Sequence, residues 1–170
     1  MTEKEKLTQK FIIVDMNDAQ ISTDEKTIIG TQALATCIGI LLYNEELKKA
    51  IVAHATTTPE IAIDKIFKII VENKLWHVPF KYKIILGSDI KPVMFYNTID
   101  TIKKYFSHFT PFDETQIPKE AIETDERTIS HQFAFDASSG KFVTDKVLFG
   151  LEYYNINKDQ IEKTSINKHR

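Results

Sequence analysis

Two neighbouring runs constrain this chain more than anything else in it. Thr36-Cys37-Ile38-Gly39-Ile40-Leu41-Leu42-Tyr43 is apolar and rich in strand formers, and Lys49-Ala50-Ile51-Val52-Ala53-His54-Ala55 is a second such run. The polar stretch Asn44-Glu45-Glu46-Leu47 separates them, so the three segments read as a β-hairpin. Ile38, Ile40 and Leu42 fall on one face; Gly39, Leu41 and Val52 fall on the other. A strand that is apolar on both faces has to be covered on both, which demands a layered structure. With Asn44 to Leu47 as the loop, Tyr43 faces Lys48 and, counting back along both strands, Cys37 faces His54. Directly opposed residues have Cβ atoms about 4.5–5.5 Å apart. A thiol that close to an imidazole is the minimal apparatus for attack on a carbonyl or amide carbon. A loop of different length would shift that register.

The rest of the chain reads around this hairpin. Residues 1–10 are expected to be a flexible terminus, residues 11–155 a single domain and residues 156–170 a polar tail. Phe11 to Val14 reads as a first strand, and Asn17 to Lys26 as a polar, turn-like segment. After the hairpin, Thr58-Pro59-Glu60 supplies a cap, a first-turn proline and an acid for a helix running to about Asn73. Ile63, Ile66, Phe67, Ile70 and Val71 form its apolar face. Phe80 to Leu86 reads as a strand that ends at Gly87. Asn97 is placed as the cap of a second helix with Ile99, Ile102, Tyr105 and Phe106 as its stripe. Trp76 to Phe80 reads as an aromatic turn, either a lid on the first helix or a wall facing substrate. Thr110 to Glu126 reads as an acidic loop. Thr128 to Asp136, the turn Ala137-Ser138-Ser139-Gly140, and Lys141 to Thr144 make a second hairpin, and Val147 to Tyr154 a last strand. Strands outnumber helices and two connections are hairpins, which indicates the α+β class.

Composition narrows the function classes. At 170 residues the chain has the length of one domain with a real core. A net charge of −2 gives no reason to expect a nucleic-acid binder. The single cysteine cannot form an internal disulfide and fits a reducing compartment, either the cytoplasm or a host cytosol reached by a secreted effector. The start Met1-Thr2-Glu3-Lys4-Glu5-Lys6 lacks the apolar core of a secretion signal, and no run has the length of a membrane span. His77, His108, His131 and His169 show no metal-ligand spacing with each other or with Cys37, so no metal and no other cofactor is expected.

The residues that carry chemistry also carry a resemblance. Thr31-Gln32-Ala33-Leu34-Ala35-Thr36-Cys37 resembles the T-L-G-L-G-S-C pattern of the chemoreceptor glutamine deamidases, the CheD proteins of bacterial chemotaxis. The family's threonine, cysteine and histidine spacing is matched by Thr31, Cys37 and His54. The segment is more distantly similar to the cytotoxic necrotizing factor deamidases. Lys83 to Ser88, the helix around Thr98 to Phe106 and the two strands around Phe133 to Val143 also have counterparts, so the likeness covers about residues 25 to 145. There are departures. Ala33 and Ala35 replace both glycines of the lead-in, Lys49-Ala50-Ile51 stands where the family has Gly-Gly, and Ala55-Thr56-Thr57-Thr58-Pro59 replaces the x-x-L-P that follows the histidine.

The resemblance implies a CheD-like layered β-sandwich of mixed and antiparallel strands flanked by helices. It implies a cysteine-dependent protein glutamine deamidase with Cys37 as nucleophile, His54 as base and Thr31 as the residue that orients the imidazole. The partners would be a protein substrate, a bacterial receptor or a host protein, and a regulatory protein. Because threonine carries no charge, the dyad would rest on thiolate–imidazolium attraction. Apart from the resemblance, a lone apolar-flanked cysteine usually serves packing. Strand histidines are usually satisfied in place, and threonine is common in turns. A binding module that keeps the fold without activity, and a cysteine transglutaminase or protease, therefore stay open.

Overall fold

In the computed structural model, residues 11–24, 26–87, 92–111 and 132–143 are described. The segments expected as a flexible terminus, a polar tail and a last strand, the acidic stretch from Glu120 to Glu126, His131 and His169 lie outside them. The elements are β1 (Phe11–Val14), β2 (Ala19–Ile21), β3 (Ile28–Thr31), β4 (Ile38–Asn44) and β5 (Lys49–Ala55), then helix α1 (Glu60–Glu72), β6 (Lys81–Leu86) and helix α2 (Pro92–Tyr105). The short strands β7 (Thr110–Pro111), β8 (Phe133–Asp136) and β9 (Lys141–Phe142) complete the described set. They form a four-stranded sheet in the order β1-β3-β8-β9 and a five-stranded sheet in the order β2-β5-β4-β6-β7. Most pairs are antiparallel, while β1 with β3 and β6 with β7 are parallel. The chain is thus mixed α+β with two sheets and few helices.

The doubly apolar hairpin explains the layering. Leu41 and Val52 join Val14, Ile29, Phe133, Phe135 and Phe142 in the core between the sheets. Ile38, Ile40, Leu42 and Ile51 face the other way, where Ile63, Ile66 and Ile70 of α1 and Ile102 and Phe106 near the end of α2 cover them. Each side chain of this size contributes about 1.5–3 kcal/mol when fully withdrawn from water. Leu41 and Leu42 are both completely buried although they are neighbours, so the strand loses water on both faces.

Several expectations are corrected. The segment from Asn17 to Lys26 is not all turn, because Ala19 and Ile21 alternate toward the α1 side and β2 pairs with β5. Helix α1 starts at Glu60 with Pro59 in the cap position and no side-chain cap bond. Thr58 does not cap it; its N–H is held by the Thr56 hydroxyl at 3.3 Å. Val71 is 61% exposed, one step round the helix from buried Ile70. Asn97 lies inside α2, which begins at Pro92, a residue suited to a first helical turn. Trp76 is exposed, and the turn that holds it leads into Lys81, paired with Tyr43 at the far end of β4 from Cys37. It is no wall of the cysteine site.

Candidate active site

The register of the central hairpin decides the site, and it differs from the expected one. The loop is Glu45 to Lys48, closed by Asn44 opposite Lys49. Asn44 belongs to the strand because its side chain is engaged twice: its amide NH2 donates to Pro79 O at 3.0 Å, and its carbonyl oxygen accepts from Leu47 N–H at 2.8 Å. Lys48 closes the turn in the left-handed region, at φ 51°. The consequence is that His54 faces Gly39, not Cys37. Side chains alternate with period two, so moving the partner from residue 37 to residue 39 keeps the face and loses the direct opposition. Cys37, just ahead of β4, still packs with Leu41, Val52 and Phe133 in the core between the sheets. It is a diagonal neighbour of His54, a relation that in sheets places Cα atoms about 7–8 Å apart.

Thr31 ends β3 in the opposite sheet and comes directly to His54. Its hydroxyl lies 2.8 Å from His54 Nδ1 and 2.6 Å from Val14 O. The carbonyl can only accept, so the single hydroxyl proton goes to Val14. Thr31 Oγ1 must then accept from Nδ1–H, which assigns the tautomer. The lone pair is left on Nε2, which is buried without a hydrogen-bond partner among the described residues. His54 as a whole is 2% exposed. Burial alone pulls its pKa from 6.5 down to about 4.

The thiol is in a similar position. Cys37 is 7% exposed, and burial pushes its pKa up against a smaller opposing effect from a hydrogen bond of the Thr36 side chain. At neutral pH the two groups are therefore a thiol and a neutral imidazole, with no hydrogen bond between them. The thiolate–imidazolium attraction expected from sequence is absent as a resting state, because both charged forms are desolvated.

Three glycine and alanine positions shape the surroundings. A Cβ on Gly87 would lie 1.8 Å from Leu34 O and 2.5 Å from both Ala35 O and Cys37 O. Gly87 N–H also donates to Cys37 O at 2.9 Å, so the cysteine loop rests on this one bare backbone. A Cβ on Gly39 would lie 2.4 Å from the Phe133 ring, so that ring fills the notch opposite His54. Ala33 holds φ 59°, the left-handed region where a glycine is at ease. It occupies one of the two glycine positions of the resembled pattern. Neither Gly87 nor Phe133 stood out in sequence as part of a site. A glycine directly after an apolar strand does signal close backbone approach, and that was the available clue.

Thr31, Cys37 and His54 thus lie at one end of the space between the sheets. Thr31 and His54 touch; Cys37 stands beside them. No group of three or more metal-ligating side chains occurs among the described residues, and no helix there is long and apolar enough to cross a membrane. Neither models of known protein families nor curated protein sequences match this chain.

Proposed function

We propose that this protein is a cysteine-dependent protein glutamine deamidase. The observation that carries the reading is the buried Thr31–His54 hydrogen bond, which leaves an imidazole lone pair unpaired on the face shared with Cys37. A buried acceptor without a partner costs about 1–3 kcal/mol, and a role in proton transfer gives that cost a reason. In the proposed reaction Cys37 Sγ attacks the side-chain amide carbon of a glutamine as its proton passes to His54 Nε2. His54 then protonates the departing amine and ammonia leaves. Water, giving a proton to His54, then attacks the thioester carbon; the C–S bond breaks, glutamate is released and His54 returns the proton to Cys37 Sγ. Thr31 keeps Nδ1–H in place throughout and so holds Nε2 toward the reacting atoms. The diagonal placement means that substrate entry has to draw Sγ toward Nε2.

The test is ammonia release from a glutamine-rich protein such as denatured casein, with the matching amide-to-acid mass gain. Cys37→Ser is expected to abolish it, and activity retained in that variant rejects the assignment.

A second reading has its own observation. The neutral thiol and neutral imidazole, without a hydrogen bond between them, suit a binding module that retains the deamidase fold. In that case wild type releases no ammonia and Cys37 alkylates no faster than a buried thiol.

A further inference from the structure

Strand β6 runs beside the cysteine and carries an open edge. On one side it pairs with β4 along its whole length, from Lys81 opposite Tyr43 to Leu86 opposite Ile38. One residue further, Gly87 N–H donates to Cys37 O at 2.9 Å. On the other side β7 covers Lys81 and Tyr82 and stops. Antiparallel ladders alternate bonded and non-bonded pairs. Gly87 is bonded to Cys37, so the bonded pairs that follow are Ile85 with Gly39 and Lys83 with Leu41. The N–H and C=O groups of Ile84 and Leu86 therefore point away from β4. The start of the strand keeps the same phase, since Phe80 O accepts from Thr110 N–H at 3.4 Å on that outer side. Among the described residues, nothing pairs with the outward groups of Ile84 and Leu86.

Proteins usually blunt a strand edge with a charge, a proline or a covering element. Here β7 covers the first part of β6 and Lys83 brings a charge, but Ile84, Ile85 and Leu86 have neither. That stretch is the part nearest the thiol. Ile85 faces the core that holds Cys37, while Ile84 and Leu86 lie partly buried on the helix side. A strand added to this edge would turn every second side chain to the Cys37 face, in line with Ile85 and Gly87. It would lie two strand spacings, about 10 Å, from β4, a gap that a long glutamine side chain and the thiol can divide between them. Building on the deamidase reading, we propose that residues 84–86 of β6 are the docking strand for its substrate: an extended protein segment pairs with them through main-chain hydrogen bonds and directs its glutamine toward Cys37. The substrate class is then a glutamine in an exposed strand-forming segment. Its neighbours are apolar or β-branched, because they fall beside Ile84 and Leu86. A glutamine within a helix is excluded, since its main chain is already hydrogen-bonded.

The experiment is amide hydrogen exchange, read residue by residue by NMR, in the full chain carrying Cys37→Ser so that no glutamine is consumed. The probe is a short blocked peptide with a central glutamine between valines and threonines. Two further peptides carry N-methyl groups on alternate residues, one in each of the two possible frames. Ammonia release from the unmethylated peptide is measured with wild type. Without peptide, the Ile84 and Leu86 amides are expected to exchange faster than that of Ile85, which β4 protects. The unmethylated peptide is expected to slow Ile84 and Leu86 about tenfold at about ten times its dissociation constant. One methylated frame should keep this effect and the other lose it, because only every second peptide N–H faces β6. Ile84 and Leu86 amides already protected in the free chain overturn the proposal. So does an absence of slowing up to the solubility limit of the peptide, or an equal effect of the two frames. Frame-dependent slowing without ammonia release rejects the deamidase reading and leaves the docking strand standing. Ammonia release without slowing does the reverse.

Discussion

A neutral buried imidazole should make this protein acid-sensitive in a way that one substitution removes. In the folded chain burial lowers the His54 pKa to about 4, while in the unfolded chain it returns to 6.5. Below pH 6.5 the unfolded state takes up a proton that the folded state refuses. Acidification therefore favours unfolding, and the loss grows until the pH passes the folded value. At pH 7 the effect is negligible. At pH 5 the unfolded imidazole is almost fully protonated and the folded one is not, which destabilises the native state by about 2 kcal/mol. Below pH 4 the loss levels off at about 3 kcal/mol, because each pH unit between the two titration points adds about 1.4 kcal/mol.

The assay is urea unfolding at pH 7, 6 and 5 for wild type and His54→Gln, whose amide does not titrate in this range. Carboxylates and the other histidines are common to both proteins and cancel in the difference. Wild type is expected to lose about 2 kcal/mol more than the variant between pH 7 and pH 5. Parallel loss in the two proteins would refute the reasoning, because it would mean that the imidazole is hydrated and titrates alike in the folded and unfolded chains. A ring-proton NMR titration offers a second reading: the His54 resonance should stay put from pH 7 down to pH 5.

Two further predictions concern the loop that carries the thiol. Ala33→Gly relieves a left-handed alanine and is expected to raise stability by up to about 1 kcal/mol in chemical denaturation, the strain removed less the entropy that glycine brings to the unfolded chain. Gly87→Ala forces a methyl group onto the carbonyls of Leu34, Ala35 and Cys37; it should lower stability by about 1–3 kcal/mol and change the Cys37 alkylation rate, whereas an unaltered rate would show that the loop does not depend on this contact.

Much of the architecture was legible from local pattern. The two-faced apolar hairpin demanded layers on both sides, and the core between the sheets and the helices over Ile38, Ile40 and Leu42 supply them. The span of α1, the strand up to Leu86 and the turn from Ala137 to Gly140 also followed from residue order. Such features are legible because side-chain direction repeats every two residues in a strand and every 3.6 in a helix. The candidate residues Thr31, Cys37 and His54 were legible through their spacing and resemblance, and the alternation rule placed the cysteine and histidine on one face.

What escaped the residue order depends on distant atoms. Asn44 belongs to the strand, not the loop, because Pro79 O waits 35 positions away, and that contact moves the partner of His54 from Cys37 to Gly39. Ala19 and Ile21 become a strand because β5 offers an edge to pair with. Gly87 matters because three carbonyls from another loop converge on it. The charge state of the dyad is the clearest case. Thiol and imidazole are identifiable by name in the chain, but whether they are ionised is set by how much water the two sheets and the Cys37 loop together exclude. Desolvation sums over atoms from many segments, so it exists only once the layers have closed.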